Sequence, residues 1–351
     1  MLFRSVTKPV HVSVFGKTDL GRSRDHNEDT FLVADLSTKR ASLLPEVREH
    51  EVGPRGSFFM VADGMGGAAA GEVASAMAAD LIYKHMSDVW AADSDVSAQR
   101  FAYRMKEAVE FANGGINGYT RDHPEARGMG TTVTAAGVFG TDLYLCQIGD
   151  SRGYLVRAGM ASQITKDQSL MQRLVDAGEL TEAEAETSER RNIILQALGP
   201  EPRVKVDLTR QPLRRGDLLV LCSDGLSGQV KKEEIGELAA KHPDLTAFCG
   251  ALIDLANERG GPDNITAIAV RFDGDGLEPP DGQTAVGHQV YPLDEHESTT
   301  EPVPVYKGSP APEPIAARKP QPESPSKRIG LVLLLIALGA AFAVYLLTGG
   351  A

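Results

Sequence analysis

The sequence predicts an α+β fold in which antiparallel β-sheets are covered by segregated helices. Eight short runs are apolar or alternating, as strands are, and six longer runs carry Ala, Leu, Met and Glu at helical spacing. The runs between 132 and 157 follow one another across tight Gly and Asp turns. That pattern is typical of a meander and disfavours a doubly wound parallel sheet.

The predicted elements all lie within residues 1–273. The strands, bounded by Gly, Asp or Ser, are Val10–Phe15, Phe31–Asp35, Phe58–Ala62, Thr132–Phe139, Leu143–Ile148, Gly153–Arg157, Leu218–Cys222 and Ile265–Phe272. The helices are Glu72–Val89, Ser97–Asp122, Gln168–Ala177, Glu182–Glu189, Lys232–Lys241 and Leu245–Arg259. Eight strands suffice for two packed sheets, and some of the helical stripes must cover their faces.

Composition sets the class of protein. Hydrophobic residues make up 42% of the 351 residues and charged residues 24%, as in ordinary globular proteins. The formal net charge is −12, which argues against a protein that binds nucleic acid phosphates. The three cysteines, Cys146, Cys222 and Cys249, form no C-x-x-C pair, so we expect no disulfide. The first ten residues contain no apolar run typical of a secretory signal.

The composition changes near Gly274. Residues 274–328 hold 11 of the 20 prolines, with acidic residues interspersed, and predict a solvated Pro-rich acidic linker that does not pack. From Ile329 to Leu347 the chain is uncharged and mostly apolar, and a helix there would span roughly 28 Å. We therefore expect a single transmembrane helix at 329–348 and a short tail at 349–351.

The flanking charges orient this helix. Lys327 and Arg328 precede it and no charged side chain follows it, which predicts a catalytic domain on the cytoplasmic side of the inner membrane.

Acidic residues recur where predicted strands end or begin. They are Asn27-Glu28-Asp29, Asp63-Gly64, Asp150, Asp224-Gly225 and Asp263-Asn264. Each alone would be an ordinary turn. If the strands bring these loops to one edge, the carboxylates repel one another by roughly 4 kcal/mol per pair at 4 Å, unless divalent cations compensate.

The residue types favour particular ions. The donors are oxygens, without a His or Cys cluster at zinc spacing, which suits Mg²⁺ or Mn²⁺. Two such ions can activate a water and bind a phosphate. Gly64 can offer its carbonyl without a side chain in the way, and Arg24 supplies a two-pronged donor for phosphate oxygens.

The ordered motifs carry a family resemblance. They are Arg24-x-x-Asn27-Glu28-Asp29, Val61-Ala62-Asp63-Gly64-Met65-Gly66-Gly67, Gly128-Met129-Gly130-Thr131-Thr132, Ile148-Gly149-Asp150-Ser151-Arg152, Ser223-Asp224-Gly225-Leu226 and Asp263-Asn264-Ile265-Thr266. From about Thr18 to Phe272 the chain resembles the metal-dependent type 2C serine/threonine protein phosphatases in their bacterial form. The resemblance implies a central β-sandwich of two antiparallel sheets flanked by helices on both sides.

The resemblance also implies roles for residues. Arg24 would bind the substrate phosphate, and Asp63 would bridge two Mn²⁺ or Mg²⁺ ions. The remaining implied metal-site residues are Gly64 through its carbonyl, Asp224 and Asp263 at the other ion, Glu28 and Asp29 through water, and Asp150 at a third ion. Residues from about Thr165 to Ala197 would form a flap that influences substrate choice and metal binding.

Some positions depart from the family pattern. Met65 stands where animal members have a histidine proposed as the general acid, so we expect a water to donate the proton. Asp167-Gln168 replaces a frequent Asp-His, and 191–199 lacks the usual Thr-Arg, which makes flap-dependent selectivity an open question.

Individual residues have simpler interpretations. Arg24 alone could be a surface arginine paired with an acid, and Asp150 could cap a turn. His26 is interpreted as a solvated side chain, and Thr131 and Thr132 as structural strand residues.

The hypothesis is a membrane-tethered phosphatase that hydrolyses phosphoserine and phosphothreonine through a water activated by two metal ions. Phosphoproteins would be its substrates, and a Ser/Thr protein kinase its counterpart by family analogy. The alternatives are a catalytically silent phosphoprotein-binding module of the same fold and a two-metal hydrolase of nucleotides or small phosphate esters.

Overall fold

The computed structural model describes residues 8–46, 48–66, 69–282 and 284–293. These residues form thirteen strands: β1 His11–Asp19, β2 Asp29–Asp35, β3 Arg40–Ser42, β4 Arg48–Glu51, β5 Ser57–Met65, β6 Gly130–Thr131, β7 Val133–Phe139, β8 Asp142–Ile148, β9 Arg152–Arg157, β10 Met160–Gln163, β11 Asp207–Pro212, β12 Leu218–Cys222 and β13 Ile265–Asp273. Their α-helices are α1 Ala69–His85, α2 Ala98–Asp122, α3 Leu170–Asp176, α4 Glu182–Thr187, α5 Asp224–Ser227, α6 Lys232–Lys241 and α7 Leu245–Glu258.

The strands form two antiparallel sheets. One has the order β10-β9-β12-β13-β1-β4, and the other has the order β11-β8-β7-β5-β2-β3, with β6 paired to β5. The meander predicted between 132 and 157 is present as β7, β8 and β9, but β9 passes into the first sheet. Two antiparallel sheets with flanking helices confirm the predicted fold class.

The hydrophobic core has three layers, one between the two sheets and one between each sheet and its helices, because successive side chains of a strand point to opposite faces. On β5, Phe59 and Val61 point between the sheets, whereas Phe58, Met60 and Ala62 point to the side covered by α1 and α2. On β13, Ile268 and Val270 face the interior, and the intervening alanines face α7. Both faces of the central strands are therefore buried, which explains why these strands read as apolar runs.

The predicted elements differ from the observed ones mainly at their ends and edges. Helix α2 begins after Ser97, whose side chain accepts from Arg100 N, and α1 passes into a π-helical turn at Met86–Trp90. The unpredicted strands are short or polar: β3, β4, β6, β10 and β11. Each becomes a strand through pairing with an apolar neighbour, and sequence periodicity carries no signal for that.

Residues 274–282 and 284–293 form a C-terminal strap that packs against the sandwich. Leu277 is only 2% exposed within the core between the sheets, and Tyr291 N donates to Leu208 O on β11 at 2.8 Å. Arg214 binds Glu278 and Asp281 at 2.7 and 3.1 Å. These contacts correct the expectation that an unpacked linker begins at 274, because acidic side chains of the segment pair with arginines and Leu277 is buried.

The remainder of the predicted linker (294–328), the predicted membrane helix (329–348) and the tail (349–351) lie outside the described residues. Within the part of the chain that the structure describes, no helix combines the length and apolar character needed to span a bilayer.

Candidate active site

The predicted acidic residues lie at one end of the sandwich. Asp29 begins β2 and is paired in register with Asp63 near the end of β5. Asp150 follows β8, Asp224 follows β12, and Asp263 precedes β13. The antiparallel pairing therefore brings together loops that are distant in sequence, as the strand-end pattern predicts.

The backbone around Asp63 is fixed by two threonines. Thr132 N and Thr131 Oγ1 both donate to Asp63 O, at 2.8 and 2.9 Å, and Asp63 N donates to Thr132 Oγ1 at 3.1 Å. These bonds agree with the structural role predicted for both threonines. A Cβ on Gly64 would lie 2.2 Å from Gly71 O, so only glycine fits beside Asp63.

Asp29 is held by two hydroxyl groups. Ser223 Oγ and Thr266 Oγ1 donate to Asp29 Oδ2 at 2.7 and 2.6 Å. The side chain is buried, with 8% exposed. Burial raises the pKa of Asp29 to about 7 although both hydrogen bonds oppose the shift, and Asp224 raises it further. This carboxyl is therefore costly to ionise in the protein alone.

Asp63 and Asp224 face each other directly. Their side chains share a hydrogen bond, and both are partly exposed. Burial raises the pKa of Asp63 well above its usual range, and the charges of Asp29, Asp224, Asp150 and Asp263 raise it further. The pKa of Asp224 is also raised, by burial and then by Asp263. Two carboxylates in contact require a proton or a cation between them.

Asp150 lies in the sharp turn between β8 and β9. The preceding Gly149 has φ +95°, and a Cβ there would lie 2.7 Å from Thr132 Cγ2, so the turn requires glycine. Asp150 is 8% exposed. Burial raises its pKa to about 7, with further contributions from Asp224 and Asp167, while Arg152 opposes the shift.

Arg24 and Asp263 form an ion pair at the rim. Arg24 Nη2 lies 2.7 Å from Asp263 Oδ2, and the arginine side chain is 48% exposed. This hydrogen bond is the main reason that the pKa of Arg24 is raised. The predicted phosphate-binding residue thus lies beside the carboxylates, and one of its five N–H donors is occupied.

Glu28 lies at the edge of the group. Burial raises its pKa, Arg24 opposes the shift, and Asp263 and Glu72 add to it. His26, two residues earlier, is exposed, in agreement with its interpretation as a solvated side chain. Met65 ends β5, paired with Gly130, and cannot donate a proton.

Sequence reasoning missed three residues that support the site. Ser223 and Thr266 bind Asp29, as described above. Asn264 donates to the carbonyls of Leu20 and His26 at 3.0 and 2.9 Å and accepts from Glu28 N at 2.8 Å, which fixes the loop that carries Arg24. Their place within the acidic motifs was the available signal, but their partners lie up to 244 residues away.

The donors present fit divalent cations. They are carboxylate oxygens and the Gly64 carbonyl, which are hard ligands, and the mutual repulsion of the carboxylates would be relieved by positive charge. Among the described His, Cys, Asp and Glu side chains, no three already converge into a set that encloses an ion. Water would have to complete the coordination, as is usual for Mg²⁺.

Comparisons with known proteins agree with this geometry. The family model described as Protein phosphatase 2C matches residues 48–267. The serine/threonine phosphatase stp of Listeria innocua is 35% identical over 255 residues, which cover 72% of this chain and 93% of that protein.

Solved structures show the same similarity. The crystal structure of the Mycobacterium tuberculosis serine/threonine phosphatase PstP/Ppp is 35% identical, with a TM-score of 0.62, and covers 76% of this chain and 99% of that one. The catalytic domain of PstP in complex with two manganese ions is 34% identical, with a TM-score of 0.61, and covers 75% and 99%.

Proposed function

The chain belongs to the protein phosphatase 2C family, and from this premise we propose that it hydrolyses phosphoserine and phosphothreonine in proteins with the aid of Mn²⁺ or Mg²⁺. The observation that carries the proposal is the contact between Asp63 and Asp224 inside a group of carboxylates with raised pKa values. Such a group is unfavourable in the protein alone and is suited to binding cations.

The residues would divide the ions as follows. Asp63 would contact both ions, and the Gly64 carbonyl would bind one of them. Asp224 and Asp263 would bind the other, and Glu28 and Asp29 would act through water. Asp150 would contribute to a third ion. Bound cations would supply Lewis-acid stabilisation of the phosphoryl oxygens and lower the pKa of a water.

Arg24 would orient the substrate. Its guanidinium group uses one donor on Asp263 and keeps others for two phosphoryl oxygens, in the two-pronged geometry that arginine provides. Ser223 and Thr266 fix the Asp29 carboxyl, and Thr131 and Thr132 fix Asp63, so the acidic groups require little reorganisation when substrate binds. Because Met65 cannot donate a proton, the leaving hydroxyl would take its proton from water.

The test is phosphate release by the full chain from phosphothreonine peptides, phosphotyrosine peptides and a nucleotide, with Mn²⁺ and with chelator. We expect metal-dependent release that is fastest from phosphothreonine and is lost in Asp63→Asn. Asp25→Asn, an exposed acid of the Arg24 loop, is the matched control and should retain activity. A folded protein that binds Mn²⁺ but releases no phosphate would support the silent binding module, and preferred hydrolysis of the nucleotide would support the small-ester hydrolase.

We also propose that residues 329–348 anchor the enzyme to the membrane with its catalytic domain in the cytoplasm. This rests on the uncharged run and on the flanking Lys327 and Arg328. The full chain should sediment with membranes and resist extraction by salt, whereas Ile336→Arg, which places a charge mid-segment, should release it. Equal sedimentation of the wild-type chain and of Ile336→Arg would contradict the anchor.

Because phosphoserine and phosphothreonine arise by phosphoryl transfer, we propose a Ser/Thr kinase as the counterpart of this enzyme.

A further inference from the structure

Gln168 joins three separate segments at the Asp150 turn. Its backbone N donates to Gly149 O at 2.9 Å, and its side-chain Oε1 accepts from Gly149 N at 3.0 Å. The side-chain Nε2 donates to Lys205 O at 3.4 Å, and Leu195 N donates to the Gln168 carbonyl at 2.7 Å. One residue therefore links the Asp150 turn, the returning flap segment and the loop before β11.

The turn that Gln168 binds is the one that presents Asp150. Gly149 is in the left-handed region, and its Cα lies against Thr132, which also bonds to Asp63. The Gln168 backbone N and Gln147 Nε2 both donate to Gly149 O, whereas Gly149 N donates to the Gln168 side chain, so this side chain fixes the N–H of the residue that precedes Asp150. Asp150 itself is buried beside Asp224 and Asp63.

A neighbouring ion pair fixes the same junction from the other side. Arg152 binds both oxygens of Asp167, with Nη2 2.7 Å from Oδ2 and Nε 3.0 Å from each oxygen. Asp167 and Gln168 are adjacent, as are the Asp150 turn and β9, which begins at Arg152. The two contacts therefore hold the start of the flap against both sides of Asp150.

The chemistry of the junction suits an amide. Gly149 N needs an acceptor while Lys205 O needs a donor, and a glutamine side chain supplies both without a net charge. A carboxylate could accept from Gly149 N but could not donate to Lys205 O. An apolar side chain would satisfy neither group.

We propose that Gln168 is a positioning residue for Asp150, which it holds at the cation site. This inference rests on the proposed function, because it assumes that Asp150 contacts a cation. It assigns to Gln168 no contact with substrate. Residues that orient a metal ligand typically change metal affinity by 10- to 100-fold when they are replaced.

The experiment is a calorimetric titration of the full chain with Mn²⁺, which reports binding without turnover. Gln168→Met, close in size but unable to make the bonds, should weaken the weakest Mn²⁺ site at least 10-fold and leave tighter sites unchanged. Gln168→Glu keeps the acceptor for Gly149 N but loses the donor to Lys205 O, and it should weaken this site less than Gln168→Met does. The matched control is Gln196→Met, because Gln196 bonds to the same Lys205 backbone at 2.9 Å without touching Gly149. It should bind as wild type does.

A double variant tests whether Gln168 affects Mn²⁺ binding through Asp150. Asp150→Asn should remove the weak site by itself, and adding Gln168→Met should cause no further loss, because both changes act on one ligand. In turnover, Gln168→Met should raise the Mn²⁺ concentration for half-maximal rate more than it lowers kcat.

The outcomes separate the two proposals. A wild-type chain that binds no Mn²⁺ would overturn the proposed function together with this assignment. Normal Mn²⁺ binding by Gln168→Met, an equal loss in Gln196→Met, an equal loss in Gln168→Glu, or losses that add to those of Asp150→Asn would overturn the role of Gln168 alone. Unfolding midpoints of each variant verify that the comparison is between folded proteins.

Discussion

Two clusters of charged side chains in this protein follow opposite rules. In the acidic site, Asp29, Asp63 and Asp224 share one sign, and their pKa values are raised. In the helix network between α1 and α2, formed by His85, Asp93, Arg100, Arg104 and Glu107, signs alternate. Arg104 binds Asp93 and Glu107 at 2.8 and 2.6 Å, and His85 lies 2.8 Å from Glu107.

The pKa values show what the arrangement does. Burial by itself raises the pKa of Glu107, but hydrogen bonds from His85 and Arg104 more than offset it, so the pKa is lowered. Asp93 is likewise lowered by Arg104 and Arg100 against the effect of burial. The helix network thus compensates its own charges, whereas the acidic site leaves compensation to a ligand. A buried charge group is a candidate binding site when its signs agree.

Removing one carboxylate from the acidic site should have the largest effect. Asp63→Asn should lower turnover about a thousandfold or more, because several kcal/mol of transition-state stabilisation depend on the cations. In chelator, the same variant should unfold at a higher temperature than wild type, since like-charge repulsion is reduced. Phosphate release and calorimetric unfolding measure the two effects. A variant both inactive and less stable in chelator would contradict the repulsion.

Removing one acid from the helix network should lower stability and leave turnover unchanged, the reverse of the effect expected in the acidic site. Glu107→Leu removes the carboxylate that faces buried His85 and leaves Arg104 with Asp93 as its remaining acidic partner, and it should cost about 3 kcal/mol of unfolding free energy, measured by urea titration. Turnover of the folded fraction should be unchanged. Glu110→Leu, which removes a partly exposed pair with Lys106 on the same helix, is the control and should cost under about 1 kcal/mol. Similar losses in both variants would remove the distinction.

The sequence predicts one of these groups better than the other. Asp63, Asp150 and Asp224 follow apolar strands and precede glycine, serine or another turn residue, so their clustering follows from strand order. The helix network has no such signal, because Asp93 lies in a connection and its partners are on α2. Likewise, the hydroxyl of Ser223 meets Asp29 across 194 residues, and only the packed sheets establish that contact.

The edge strands of the sheets and the C-terminal strap were also difficult to predict from the sequence, because their structure depends on specific partners. β4 is polar throughout, and its identity as a strand comes from pairing with β1. The strap has the Pro-rich, acidic composition of a linker, yet Leu277 is buried and Glu278 binds Arg214. Composition indicates the average environment of a segment, whereas the packing of the strap depends on a few specific contacts that composition does not reveal.

Arg24 offers a smaller test at the boundary of the acidic site, where opposite charges do meet. Arg24→Ala should lower kcat/KM about 10- to 100-fold, since charge-assisted hydrogen bonds contribute about 1.5–3 kcal/mol. Mn²⁺ affinity should stay the same or rise, because Asp263 loses its competing ion pair. The neighbouring exposed Arg22→Ala is the control. Equal losses in both variants would make Arg24 a general surface charge.

The smallest and most direct comparison is the pH dependence of unfolding in chelator. Asp29 and Asp150 have pKa values of about 7 in the folded protein, above the 3.8 of the free side chain. Between these values the folded state binds more protons, so the acidic site should lose stability as pH rises from about 4 to above 7.

The helix network has the opposite sign. Because the pKa values of Asp93 and Glu107 are lowered, their charged forms stabilise the fold at pH values above the pKa of the free acids. This contribution is lost as pH falls through the pKa values that the two acids have in the folded protein. The unfolding midpoint in chelator should therefore fall on both sides of a maximum, by a few degrees at about 2–4 °C per kcal/mol. Asp63→Asn should flatten the alkaline side and Glu107→Leu the acid side, while Mn²⁺ should restore stability at pH 8. If both variants altered the same side, the two groups would not be energetically distinct.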